Sequence, residues 1–436
     1  MTYRLLILIL HLGIFFALGY GYENDIVVVY GYEGYRLEPN QDYWYVAFAA
    51  VVAMSLITPI KAERPSTLFY HVTLTFVLIP MLVMFYAQNN SPDYIAMVIA
   101  CYALSVFLLF GLKVNPPRIA ITSKSELRRI LFVIACVYIA SIFLLGGHRY
   151  LNFDISKVYD LRDEAADNLP GIFGYISPLM GKVVVPIAFV LSLLYRKYVM
   201  ALVFFGISVL IFGLTAHKAP LFFPFLILFV YIVSTGKNLT LKFNLSVLAI
   251  LLLCLWDFVL LQKYGPDGGF GWVGNLVLRR EFFLPGQINY WYYDFFSRHG
   301  FVWFSNSKIT LGMLDYPYPL DVSYLIGREY MESERTGANT GWFGSGYMQA
   351  GFAGLLLYAA ATAAIFKYID ACARQTGERA LITAAVVIPV FALITSTDLL
   401  TAFFTHGLYV NLLLIACFNR KESFDAYSPS EQRAFA

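Results

Sequence analysis

The chain has 436 residues, of which 59% are hydrophobic, 17% aromatic and only 14% charged, with a formal net charge of +3. Such a balance excludes an ordinary water-soluble domain and reads as a polytopic membrane protein. The small positive charge and the absence of a basic run give no support to a nucleic-acid partner.

Apolar windows long enough to cross about 30 Å of hydrocarbon as helix fall, in chain order, near 3–20, 43–60, 68–87, 93–112, 130–146, 172–194, 199–216, 219–234, 244–262, 341–366, 380–397 and 399–418. These twelve windows predict an all-α polytopic membrane protein, a single integral membrane domain over 1–436. The first window has only a weak positive start at Arg4 and no clear small-residue cleavage site, so it is expected to be a retained helix rather than a signal peptide. Lys and Arg gather in every second connection, which places both termini and the tail at 419–436 in the cytoplasm.

The outer face then collects four polar features: residues 23–42, residues 147–170, the turn at 215–220, and a long segment at 263–339. Cys101, Cys136, Cys254 and Cys417 lie in apolar runs and Cys372 in a short basic connection, so no disulfide framework and no cysteine metal site is expected. No GxxxxGK[ST] loop, Rossmann fingerprint or HExxH helix occurs, which leaves nucleotide hydrolysis, dinucleotide redox chemistry and zincin-type proteolysis without sequence support.

Between the fifth and sixth windows, Lys157 to Glu164 places Arg162 among carboxylates, either as a phosphate or sugar contact or as a surface ion pair. His217 and Lys218 cap a hairpin so short that they sit at the edge of the hydrocarbon, a costly position unless they are used or paired. Lys182 and Asp257 are intramembrane ionisable groups, and mutual pairing is the expected account of them, with a functional role as the alternative. His217 and His299 are candidates for proton transfer, and His406 for a satisfied core histidine.

The long segment at 263–339 reads as the lid and half the binding site of a membrane enzyme. Arg279 and Arg280 offer fixed charge and a bidentate fork suited to phosphate, or are simply solvated. Pro285 is placed to open a helix from Gly286 onward. On that helix Trp291, Tyr292, Phe295 and Phe296 form one aromatic face, either an interfacial anchor or a platform for sugar rings. Gly341, Gly344, Gly346, Gly351 and Gly354 form a small-residue face expected to pack closely against another element, the alternative being that a lipid tail or sugar approaches the backbone there.

The topology resembles the Wzy-type oligosaccharide repeat-unit polymerases of O-antigen and capsule assembly. The stretches that carry the likeness are Leu-Thr-Ala-His217-Lys218-Ala-Pro, Arg279-Arg280-Glu-Phe-Phe-Leu-Pro285-Gly, and Asn339-Thr-Gly341 through Gly354. The resemblance implies a GT-C-like glycosyltransferase of the bacterial inner membrane, active on its periplasmic face. It implies metal-independent transfer of a growing glycan from undecaprenyl diphosphate to a sugar hydroxyl of an incoming lipid-linked repeat unit, with no cofactor. Carried onto this chain, it makes Arg162, Lys218, Arg279, Arg280 and Arg328 diphosphate contacts, and His217 or Glu329 the group assisting the acceptor hydroxyl. Many relatives carry Arg or Ser in the turn where this chain has His217-Lys218. A chain-length regulator and a flippase are the implied partners. Three other readings share these features: a glycosyltransferase using the acidic triplet Glu23-Asn24-Asp25, an O-antigen ligase, and a flippase or other transporter.

Overall fold

A computed structural model describes residues 2–61, 63–117, 123–153, 170–215 and 217–419. Among these residues every regular element is helical. We number the principal helices α1 (Thr2–Glu33), α2 (Gln41–Ile57), α3 (Pro65–Ala87), α4 (Pro92–Gly111), α5 (Lys124–Leu144), α6 (Phe173–Leu194), α7 (Tyr198–Thr215) and α8 (Ala219–Ser234). They continue with α9 (Leu239–Tyr264), α10 (Leu284–Arg298), α11 (Val322–Met331), α12 (Trp342–Thr376), α13 (Arg379–Thr395) and α14 (Leu408–Ala416). Eight of them, α1, α3 to α7, α9 and α12, are long and apolar enough to cross a membrane, while α2, α8 and α13 are apolar but shorter.

Unbroken helices thus occupy ten of the twelve predicted windows; the tenth is interrupted at Ala350–Gly351 and the twelfth is broken. Asp398 accepts hydrogen bonds from the Leu400 and Thr401 amides at 3.0 and 3.1 Å and so opens a π-helical turn at Thr401–Thr405. Gly407 follows at φ +76°, a left-handed conformation that ends the turn before the nine residues of α14.

The helices cluster into two compact units, one formed by Met1–Lys113, Thr235–Lys367 and Pro389–Phe404, the other by Val114–Ser234, Tyr368–Ile388 and the chain from Thr405 on. In the first unit α1 packs on α2, α3 and α9, and α3 is buried almost end to end. A π-helical run at Gly274–Phe283 feeds directly into α10, so Pro285 lies inside a continuous helix rather than starting one. Phe282 stacks on Phe76 of α3 at 4.4 Å and the Tyr290 hydroxyl donates to Met81 O at 2.9 Å. The aromatic face of α10 is therefore core: Pro285 through Tyr292, Phe295 and Phe296 are buried, and the interfacial-anchor reading does not hold.

The sequence gives no hint of a fully buried network between α1, α2, α3 and α9. His71 Nε2 donates to Pro59 O at 3.1 Å and Asn244 Nδ2 donates to His71 Nδ1 at 3.0 Å, which makes His71 neutral with its proton on Nε2. His11 bridges His71 at 3.1 Å and Ser55 at 3.0 Å. Singly placed in apolar windows, these residues carry no periodic signal.

Two expectations about the spans change. Lys182 and Asp257 do not pair: Asp257 accepts the Gly271 and Gly274 amides, both at 3.0 Å, while Lys182 is hydrogen-bonded to His406 at 2.9 Å within the second unit. Each ionisable group has found a local partner, and backbone amides do for Asp257 what a cation would have done. Asp257→Ala strands two amides and is expected to lower stability by about 1–3 kcal/mol in a detergent unfolding titration, with Asp257→Asn in between.

Helix α12 is in fact a hairpin, because Ala350 and Gly351 leave helical geometry and Gly351 takes φ +61°. The limb over 342–349 folds back so that Gly346 lies against Leu355 and Tyr358, and Gly354 against the Gly346 carbonyl. The glycine face serves close backbone packing, as expected of it.

In the second unit α6 packs on α5 and α7, and α7 on α8. A capping box starts α5, with Ser123 N donating to Glu126 at 2.9 Å and Glu126 N to Ser123 Oγ at 3.2 Å. Lys124 then pairs with Glu378 at 2.6 Å.

Candidate functional site

A polar site lies in the first unit, where the end of α1 meets the π-helical run and α10. Arg279, only 8% exposed, pairs with Glu33, donates from Nε to Asn275 at 2.7 Å, and covers the Tyr30 ring at 4.6 Å. Arg280 projects to the surface and makes no ion pair or hydrogen bond among the described residues. Consecutive helical residues point in different directions, so the pair read as one phosphate fork divides into a structural arginine and an accessible one.

Beside Glu33 opens a cleft of about 480 Å³, walled by Tyr32, Glu33 and Tyr35 from one segment, Trp291 from α10, and Tyr330 and Glu332 from the end of α11. Trp291 and Tyr330 stack at 5.4 Å with an 11° angle between rings. The stack is held from behind: Tyr330 donates to Asp294 at 2.5 Å, and Arg298 bonds the Tyr330 oxygen at 3.0 Å while pairing with Asp294. Burial, reinforced by the bond to Asp294, raises the Tyr330 phenol above its ordinary value, so it stays protonated as a donor.

Tyr35 is 2% exposed and its hydroxyl is buried without a partner among the described residues, an unsatisfied group at the wall of an open cleft. Burial also raises its phenol. Glu332 closes α11 at φ +51°, a left-handed conformation costing a non-glycine residue about 1–2 kcal/mol. That strain sets a carboxylate at the rim. Two acids, rigid aromatic faces and an unfilled hydroxyl suit a ligand with both hydroxyl groups and weakly apolar ring faces.

The sequence-chosen residues divide accordingly. Trp291 lines the cleft, whereas Tyr292 is enclosed and donates to Ala338 O at 3.0 Å. Arg328 and Glu329 are exposed on α11 outside the cleft wall, Arg328 pairing with Glu334 at 3.6 Å, and it is Glu332 one turn later that lines it. His217 and Lys218 belong to the second unit, and Arg162 lies outside the described residues. His299 donates through Nδ1 to Phe295 O at 2.9 Å and stacks on that ring, closing α10 rather than facing the cleft. Glu23 accepts from Tyr86 of α3 at 3.3 Å and Asp25 from Gln262 of α9 at 3.2 Å, so the acidic triplet does not gather two carboxylates at one point.

Sequence reading missed Glu33, Tyr35, Tyr330 and Glu332. Their one visible signal was membership of polar outer segments.

An all-helical chain with eight membrane-length apolar helices and a polar cleft in one of its units has the build of a polytopic membrane protein. Comparison with protein-family models, curated proteins and solved structures returns no match.

Proposed function

We propose that the chain is a Wzy-type polymerase that joins undecaprenyl-diphosphate-linked oligosaccharide repeat units at the periplasmic face of a bacterial inner membrane, with twelve membrane passes and a GT-C-like architecture. One observation carries this reading: the cleft that sets the Trp291–Tyr330 stack beside the Glu33 and Glu332 carboxylates, with Arg279 paired to Glu33. Its volume falls within the roughly 300–1,000 Å³ usual for small-ligand sites.

In the proposed reaction an acceptor sugar lies in the cleft, one ring face against Trp291 and its hydroxyls toward the carboxylates. The acceptor oxygen bonds to the anomeric carbon of the donor glycan, the bond from that carbon to the lipid diphosphate breaks, and the diphosphate departs with the electron pair. The hydroxyl proton passes to a carboxylate at the cleft. Diphosphate is a competent leaving group, so the main demand is a cation at the developing charge, the role given to Arg280. Glu332 takes the place that Glu329 held in the sequence reading. A chain-length regulator and a flippase remain the proposed partners.

The test incubates purified protein with a short lipid-diphosphate-linked repeat unit, without nucleotide and with chelator, and separates products by length. A ladder of multimers is expected. No ladder from folded protein, but transfer onto lipid A-core, means a ligase; transport without transfer means a flippase. Trp291→Ala is expected to slow ladder formation about 5- to 10-fold, the worth of one aromatic contact of about 1–1.4 kcal/mol, while Trp291→Tyr keeps most of it.

A further inference from the structure

The second unit holds an ionisable cluster to which the proposed reaction gives no role. Lys182 sits on a π-helical turn of α6, Met180–Val184, a local defect of the kind that gathers at functional positions. Its ammonium donates to His406 Nδ1 at 2.9 Å. His406 follows the second π-helical turn, Thr401–Thr405, and Gly407 beside it, at φ +76°, lies against Leu179 and Val183 of α6. His217 is close enough to act electrostatically on His406.

Hydrogen-bond arithmetic defines what this cluster lacks. Because an ammonium has no lone pair, His406 Nδ1 must accept, which puts the imidazole proton on Nε2 and leaves the ring neutral. Two ammonium protons of Lys182 and the Nε2 proton of His406 then remain as donors. No carboxylate pairs with Lys182 among the described residues: Glu126 caps Ser123, Glu378 pairs with Lys124, and Asp370 is not joined to it. A partly buried cation in an apolar helix is expensive when its partner among the described residues is a neutral ring, and such groups in membrane helices mark ligand sites. Several donors, one fixed charge and no competing acceptor among the described residues describe a receptor for an oxyanion.

We propose that Lys182 and His406 form a binding site for a phosphate-type anion, supplied either by a lipid headgroup or by a soluble phosphate. The site lies wholly within the second unit and does not depend on the reading of the cleft. The anion takes up the free ammonium protons, and His406 holds the lysine in place from the other side. Arg at position 182 keeps the charge on a longer and flatter head, so Lys182→Arg is expected to bind more weakly without losing the site.

The experiment uses the full-length protein in nanodiscs of phosphatidylcholine or of phosphatidylglycerol, with thermal unfolding followed during titration with inorganic phosphate against chloride at equal ionic strength. Saturable stabilisation by phosphate in phosphatidylcholine, weakened at least tenfold by Lys182→Met, is the expected result if the anion is soluble. Stabilisation by phosphatidylglycerol itself, with no further response to phosphate and loss of the lipid effect in Lys182→Met, is expected if it is a headgroup. Equal unfolding of the wild type under all four conditions overturns the proposal, as does a Lys182→Met protein that responds like wild type. Should Lys182→Met fail to fold, His406→Gln serves in its place: a weakened anion response supports the site, and an unchanged response overturns it.

Discussion

Alanine at Arg280 is expected to cut glycan transfer by about 10²-fold or more while leaving the protein folded, whereas alanine at Arg279 is expected to lower stability first. Removing a single fixed donor from a developing anion typically costs that much in turnover. Arg280 is exposed and makes no ion pair or hydrogen bond among the described residues, so its loss leaves no hydrogen-bond partner stranded there. Arg279 is the opposite case. Its removal unpairs Glu33, whose side chain is 28% exposed, frees Asn275 and uncovers Tyr30, and with them the segment that walls the cleft. Discounted for the partial exposure of Glu33, the loss is expected at roughly 1–3 kcal/mol. Melting curves and initial rates of ladder formation, taken on the same preparations, separate the two. An Arg280→Ala protein with wild-type rates would remove the accessible arginine from the proposed diphosphate site. An Arg279→Ala protein with wild-type stability would show that the Glu33 pair does not hold the wall.

The apolar helices were legible because each is a local object: twenty or so apolar residues announce a span wherever they occur, and ten windows became unbroken helices. What each face would meet was not legible. The aromatic run of α10 reads the same whether it lies on lipid, on sugar or on α3, and only the partner decides; here Phe76 and Met81 supply it. The cleft draws on positions near 33, 291 and 332, and no periodicity links segments about 260 and 40 residues apart. Lys182 and Asp257 could be recognised as charges needing partners, yet the partners were a histidine at the broken twelfth window and two backbone amides, neither of which a count of opposite charges would find. Arg279 and Arg280 were rightly singled out as a pair, but their division of labour depends on which side of a π-helical turn each one leaves.

Alanine at Gly354 or Gly341 is expected to abolish folding of the α12 hairpin, at a cost of about 3 kcal/mol or more. A Cβ at Gly354 would lie 2.1 Å from the Gly346 carbonyl oxygen, and one at Gly341 would lie 2.0 Å from Ile394 O. Both obstacles are backbone, which cannot rotate aside as a side-chain tip can, so the limbs must separate or the packing against α13 must open. Separation would also carry away Gln349, whose side chain accepts the Phe304 amide at 2.7 Å and whose carbonyl accepts Trp303 N at 3.0 Å, and so would release the loop that leaves α10. Gly206 in α7 is the control: a Cβ there meets nothing within 4 Å, and alanine is expected to be neutral or to add up to about 1 kcal/mol. Unfolding midpoints by size-exclusion fluorescence of the three variants decide the matter. If Gly354→Ala melts with the wild type, the limbs are not in contact and the glycine face is open to a lipid tail or sugar. If it fails to fold while Gly206→Ala is unaffected, the face is fully used by backbone packing, and substrate must approach from the cleft side.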